Sequence, residues 1–374
     1  MSTTETQASA EPQAGARRPF GGWQRRWTRL LGWETLLVGL IISVALINAR
    51  LSPFFLRADN LLRTTSDFIE IGIMLLPMVF VIITGNIDLS VASILGLSAS
   101  LLGWLHLQGV NIWLAAGAAL LVGALAGLLN GLLVARLRLP ALVVTLGTFS
   151  FYRGLAYALL GDQAARGYPR AFTALGQGRL GDSGVPVALV LFAALALIFT
   201  LVLHGTVFGR YLYAIGNNEA ASRFSGVPTE RVKIIVFTLS GLLSALAGLV
   251  LAARFGSTRP DIGTGLELTV ITVTVLGGIS IFGGSGSMLG ALLALVLFGS
   301  LRFGMGLVNI QGQVQGMVIG TLLILSILAP RLGRALPGLR ALPPRTLLSG
   351  ALGLAVLLLF IWFFFWSRAL ILNG

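Results

Sequence analysis

Apolar runs long enough to cross a bilayer recur along this chain. A spanning helix needs about 20 such residues. The runs cover roughly 35–56, 67–84, 88–105, 111–135, 140–160, 185–204, 232–253, 266–282, 286–303 and 308–329, with a further one at 347–366. The pattern predicts an all-α polytopic membrane protein with about ten transmembrane helices and an added eleventh at the C-terminal end. One long polar stretch interrupts it, GTVFGRYLYAIGNNEAASRFSGVPTERVK at 205–233. Its residues predict a short surface helix from Asn217 to Gly226. Gly216 is read as a break, and Asn217 or Asn218 as the N-cap. Glu219 falls in the first turn, at the positive end of the helix dipole. Gly226 closes the helix in a left-handed conformation and Pro228 prevents continuation. Thr229 is then expected to cap the next helix, which carries Arg231 and Lys233 in its first turns.

Two shorter interruptions predict broken helices. GNIDLS at 85–90 places Asp88 and Ser90 between two spans. An ionisable group at membrane depth is costly and faces protein or a wet cavity. Asp88 has two roles open to it: lining the solute path or an inner gate, or capping the third span through free backbone N–H groups. GGISIFGGSGS at 277–287, with Ser280, echoes that break in the second half. Paired Gly-interrupted segments point toward a solute path. Glu267 with Thr269, Thr272 and Thr274 gives another span a polar face, suited either to a sugar's hydroxyls or to neighbouring helices. Glu70 and Arg254 are further charges beside apolar spans. Gly117, Gly123, Gly127 and Gly131 recur at helical spacing, as close helix packing requires.

Composition agrees with a bilayer protein. Charged residues make up 10% against about 25% for a soluble domain, and the mean hydropathy is +0.92. The net charge of +13 comes from 26 basic residues, of which Lys233 is the only lysine. Their scatter between apolar spans reflects membrane orientation rather than nucleic-acid binding. With the N-terminus in the cytoplasm, more than half of them fall in inner segments, and so does the 205–233 loop. The loop 161–184 then lies outside. The chain divides into a disordered, basic cytoplasmic tail (1–34), a permease domain (35–331), a Pro/Arg-rich linker (332–346) and the extra helix (347–374). In the tail, Trp23, Trp27, Arg25, Arg26 and Arg29 suit the lipid headgroup layer. Arg17 and Arg18 are not followed by the cleavable apolar segment of a twin-arginine signal.

Catalytic constellations are missing. With two histidines and no cysteine, neither a disulfide framework nor a transition-metal site is expected. Gly283 to Gly286 matches the GxSG pattern of intramembrane serine proteases, but His106 and His204 both precede Ser285, the wrong order. A P-loop needs Lys followed by Ser or Thr, and Ile234 follows Lys233. The chain cannot hydrolyse ATP by that route.

Three ordered motifs carry a family resemblance. GNIDLSVAS at 85–93, YAIGNNEAASRFSGV at 213–227 and LGGISIFGGSGSMLG at 276–290 resemble the markers of the ribose-type branched family of bacterial ABC sugar-importer permeases. The likeness spans roughly 35–330. Within that family, GDQAARGYP (161–169), ARFGSTRPDI (253–262) and GLVNIQGQV (306–314) are most similar to rhamnose permeases. TTSDFIEIGI (64–73) is similar to autoinducer-2 permeases.

The resemblance implies import of a monosaccharide across the bacterial inner membrane. Rhamnose is the expected solute, with autoinducer-2 or ribose as the alternative. It implies no cofactor in this chain, ATP and Mg being bound by a cytoplasmic ABC ATPase. It also implies a second permease subunit (homo- or heterodimer), a periplasmic or lipid-anchored sugar-binding protein, contact with membrane lipid, and no nucleic acid. The coupling contact would run through Gly216, Asn217, Asn218, Glu219, Ala220, Ala221, Phe224 and Gly226, with Phe224 as knob and the alanines allowing close approach. The opposing expectation is that this face packs on the chain's own helix ends. Asp88, Ser90, Glu267, Thr269, Thr272 and Ser280 are the candidates for the solute path. A proton-coupled transporter with Asp88 or Glu70 as relay is the competing class.

Overall fold

The computed structural model describes residues 33–181 and 184–318, together with 320, 321 and 324. The expected tail (apart from Trp33 and Glu34), linker and eleventh helix, and the later part of the tenth span, lie outside the described residues.

The chain is a helical bundle. Its elements are α1 (Trp33–Leu51), α2 (Ala58–Thr65), α3 (Ile69–Ile83), α4 (Val91–Leu107), α5 (Ile112–Ala135) and α6 (Ala141–Leu160). They continue with α7 (Arg170–Gln177), α8 (Val187–Gly205), α9 (Val207–Asn217), α10 (Glu219–Phe224), α11 (Thr229–Phe255), α12 (Leu266–Leu276) and α13 (Met288–Leu307). Six of these, α1, α5, α6, α8, α11 and α13, are long and apolar enough to cross a membrane, while α3, α4 and α12 are shorter apolar helices. The tenth span begins as helix over 312–318. Two small antiparallel pairs lie in the connections, β1 (Ala165–Arg166) with β4 (Ser257–Thr258) and β2 (Arg179–Leu180) with β3 (Val185–Pro186). They fold the 161–184 loop over the end of the bundle where α11 finishes.

Burial explains the arrangement. Every residue of α3 is buried, Pro77 included, as expected of a helix that is apolar all round. α11 packs beside α3, α4 and α5. Gly123, Gly127 and Gly131 meet the backbone or Cβ atoms of Ile234, Phe237, Gly241 and Ala245, leaving no room for a side chain. Small residues here let two backbones close on each other, which maximises van der Waals contact where lipid supplies no hydrophobic drive. Gly117, expected to join that row, has nothing within contact, because it precedes the crossing.

The ends of the bundle are tied differently. At the end where α1 begins, the Trp33 indole donates to Leu276 O (3.0 Å) and Ser287 Oγ to Glu34 Oε1 (2.8 Å). At the opposite end Arg254, in the last turn of α11, binds Glu70 and Asp67, both at 2.8 Å. Glu70 is 2% exposed. These two charges are therefore partners in a helix-to-helix tie.

Candidate coupling and translocation site

The polar stretch holds two helices where one was expected. α9 runs through Gly216 to Asn217, and α10 is a separate helix of six residues. Gly216 does not break the chain. A Cβ there would strike the Ile83 carbonyl and the Gly284 N–H, so its missing side chain serves close approach inside a helix. Asn218 is the N-cap of α10, its Oδ1 accepting from Ala221 N–H (2.9 Å). Asn217 instead ends α9 and donates from Nδ2 to Tyr213 O and Gly284 O (2.8 and 3.3 Å). Gly226 takes φ +83°, and Val227 N–H bonds Ser222 O (3.0 Å) across it, closing the helix as predicted. Thr229 does not cap α11. It is the first helical residue, with Pro228 at the cap position making no side-chain bond, since Pro suits a helix entrance without needing one.

Two links fasten this unit to the spans. Glu219 accepts from Lys233 Nζ (2.5 Å) and Arg223 Nη2 (3.4 Å), which ties α10 to the first turns of α11. Tyr213 Oη donates to Gly286 O (2.9 Å). Burial pushes that phenol up from its ordinary value, so it remains a neutral donor. α9 thus rests on the end of α3 and on the 283–287 turn, so the three motifs read in the sequence converge. Ser222 is the buried side of α10, whereas Ala220, Ala221 and Phe224 are exposed, Phe224 at 93%. The expectation that this face packs on the chain's own helix ends does not hold for Phe224.

The break at 84–90 leads to a buried polar chain. Asp88 is fully buried. Its Oδ1 accepts from Ser90 N–H (2.9 Å) and Ser90 Oγ–H (2.6 Å), and its Oδ2 from Ser240 Oγ–H (2.8 Å) on α11. Ser90 Oγ accepts from Asn130 Nδ2 (2.8 Å) on α5, and Tyr152 Oη on α6 donates to Ala126 O (3.0 Å). One carboxylate thereby joins the start of α4 to α11 and, through Ser90, to α5. Asp88 reaches the backbone only at Ser90 N–H, the cap residue itself, and bonds none of the first helical N–H groups of α4; it also clasps a second helix. Neither it nor Ser90 faces open space here.

The remaining path candidates are distributed differently. Glu267 Oε2 accepts from Gly265 N–H (3.2 Å) at the start of α12. Thr269, Thr272 and Thr274 donate to carbonyls four residues back, Gly265, Leu268 and Val270. They bond neither a neighbouring helix nor a free site, because a threonine on an apolar helix finds its nearest acceptor in its own preceding turn. Ser280 is held in its own turn, its N–H bonding Ser285 O (3.1 Å) and its Oγ accepting from Phe282 N–H (3.3 Å).

Arg153 on α6 was not singled out by the sequence reading. Its Nη1 donates to Pro260 O and Ile262 O (2.6 and 3.0 Å), and its Nη2 to Ala92 O (3.0 Å). Gly96 leaves the space its guanidinium occupies, and its Nε is buried without a partner. One side chain therefore pins the loop before α12 to the first turn of α4, just after the 84–90 break. A signal was available: Arg153 is the sole charge within the 140–160 run, and a charge inside a span marks function by default.

Comparison with known proteins accords with this architecture. The family described as branched-chain amino acid transport system / permease component matches residues 60–327. The autoinducer 2 import system permease protein LsrD of Klebsiella pneumoniae subsp. pneumoniae is 41% identical over 304 residues, 80% of this chain and 91% of that protein. Its counterparts in Enterobacter sp. (strain 638) and Yersinia enterocolitica are 40% and 39% identical, each over 80% of this chain and 92% of the relative. These relatives carry the autoinducer 2 name, where more of the sequence motifs favoured rhamnose. No solved structure matches the chain. A bundle of apolar helices broken at two places, with its three marker motifs gathered at one end, together with this likeness over most of both chains, shows that the protein belongs to the ribose-type family of ABC importer permeases.

Proposed function

We propose that this chain is the membrane subunit of an importer for autoinducer 2, rather than for rhamnose. The observation that carries the solute is the likeness to autoinducer 2 permeases at about 40% identity over nine-tenths of their length. The chain sits in the bacterial inner membrane with its N-terminus and α9–α10 in the cytoplasm. A cytoplasmic ATPase, which binds ATP and Mg, docks on Ala220, Ala221 and Phe224. A binding protein delivers solute at the other side, and a second permease subunit completes the pathway.

The coupling mechanism follows from the ties described above. Movement of the docked ATPase shifts α10. The Glu219–Lys233 pair passes that shift to α11, and the Gly216 and Asn217 contacts pass it to the 84–90 and 277–287 breaks. Rigid helices then tilt between two packings, and the solute path opens to one side at a time. The chain supplies a path and a lever, with no covalent chemistry.

Uptake of labelled autoinducer 2 by the reconstituted complex tests the solute, with rhamnose and ribose as competitors. ATP-dependent uptake that unlabelled autoinducer 2 suppresses and rhamnose does not supports the proposal. Preferential competition by rhamnose overturns the solute assignment.

A further inference from the structure

A groove of about 590 Å³ opens on the flank formed by α2, α8 and α13. Its walls include Phe55, Phe68, Phe192, Leu295, Val296 and Phe303. Three of the four hydroxyls on the lining are turned away: Thr64, Thr65 and Thr200 donate to Asn60 O, Leu62 O and Ala196 O of their own helices, leaving that of Ser300. The groove therefore offers methyl and aromatic surface and almost no hydrogen bond. A polyhydroxylated sugar has too few partners in it.

Its dimensions select the occupant. The lining runs from Leu189 to Thr200 on α8 and from Leu292 to Phe303 on α13. At 1.5 Å per residue each stretch is about 16 Å long. Half of a hydrocarbon core of about 30 Å is roughly 15 Å. The groove is thus about as long as one leaflet is deep, begins under α2, and leaves four residues of α13 uncovered at either end. A spanning helix would be about 30 Å long, nearly twice the length of the groove.

Two described arginines stand at the mouth. Arg57, between Phe55 and α2, is exposed and lies 5.2 Å from the Phe54 ring centroid. Arg179 is exposed and donates to Gly184 O (3.4 Å), and Gly184 lies beside Leu62 of α2. Neither arginine is ion-paired among the described residues. We propose that this groove binds one acyl chain of an anionic phospholipid, whose phosphate is held at the mouth by Arg57 and Arg179. No residue of α6 or of the 84–90 and 277–287 breaks lines the groove.

The chain has no cysteine, so Ala193→Cys creates one attachment point within the groove. The full-length permease, labelled there with a benzophenone maleimide and assembled with its partner subunits, is placed in nanodiscs of mixed phosphatidylglycerol and phosphatidylcholine and irradiated. Mass spectrometry should find lipid adducts enriched in phosphatidylglycerol. The same label at Leu121→Cys, exposed on α5, should return the bulk lipid ratio. Arg57→Gln and Arg179→Gln should each lower the phosphatidylglycerol preference by roughly fivefold. Ala193→Trp, which fills the groove without touching the arginines, should remove one retained phosphatidylglycerol in native mass spectrometry. Adducts at the bulk ratio from position 193 overturn the proposal. So do crosslinks to residues 325–374 of this chain or to a partner subunit, and unchanged lipid retention in Ala193→Trp.

Discussion

Gly216→Ala isolates the contact on which coupling depends. Gly216 lies within α9, where the added methyl favours the helix by about 1 kcal/mol. The same methyl is driven into the Ile83 carbonyl, which accepts a 2.9 Å bond from Gly284 N–H. Overpacking costs about 2 kcal/mol, and parting that buried bond costs about 2 kcal/mol more. The balance is roughly 3 kcal/mol against docking of α9, about a hundredfold in the docked fraction. Hydrogen exchange at 207–217 should rise, and both solute uptake and binding-protein-stimulated ATP hydrolysis in proteoliposomes should fall together. Gly39→Ala is the matched control, a helical glycine with nothing within contact, expected to be neutral or slightly stabilising. If Gly216→Ala keeps parental uptake and exchange, the contact between α9 and the breaks does not transmit motion.

Four further substitutions probe the remaining links. Phe224→Asp should abolish co-purification of the ATPase with little change in melting, because the ring is 93% exposed; unchanged co-purification would remove it from the docking face. Lys233→Met should cost only about 1 kcal/mol of stability, since Glu219 is partly hydrated, yet reduce uptake per ATP hydrolysed, read in proteoliposomes. Asp88→Ala leaves the Ser90 and Ser240 hydroxyls and the Ser90 N–H without their acceptor, at about 1–3 kcal/mol each; thermal unfolding should show a large drop, and a small one would mean that other groups take over. Arg153→Lys should lower uptake roughly tenfold or more while ATPase binding persists, because an ammonium cannot reproduce a guanidinium fork onto three carbonyls; full activity would assign the loop's position to other contacts.

The bundle was legible because its code is local. A spanning helix satisfies its own backbone, so an apolar run of sufficient length is enough to announce it. Breaks at Gly85 and at 277–287, the cap at Asn218 and the left-handed stop at Gly226 were readable for the same reason, each being decided within a few residues. Errors arose where a residue type has two uses. Gly216 read as a breaker because a glycine's flexibility is visible in sequence, while the Ile83 carbonyl it accommodates is 133 positions away in the chain. That the hydroxyls of the α12 threonines bond carbonyls of their own helix was likewise not legible, because a one-dimensional pattern does not show which acceptor a hydroxyl prefers.

Family, span order and marker motifs were therefore determined by the sequence itself. Only the tertiary structure decided which groups meet: Asp88 with Ser240, Glu219 with Lys233, Arg153 with carbonyls of α4 and of the loop before α12, and the three motifs with one another. The physical reason is the separation of scales. Hydrophobic length and capping act within one helix, whereas a buried charge is stable only beside partners brought to it by packing.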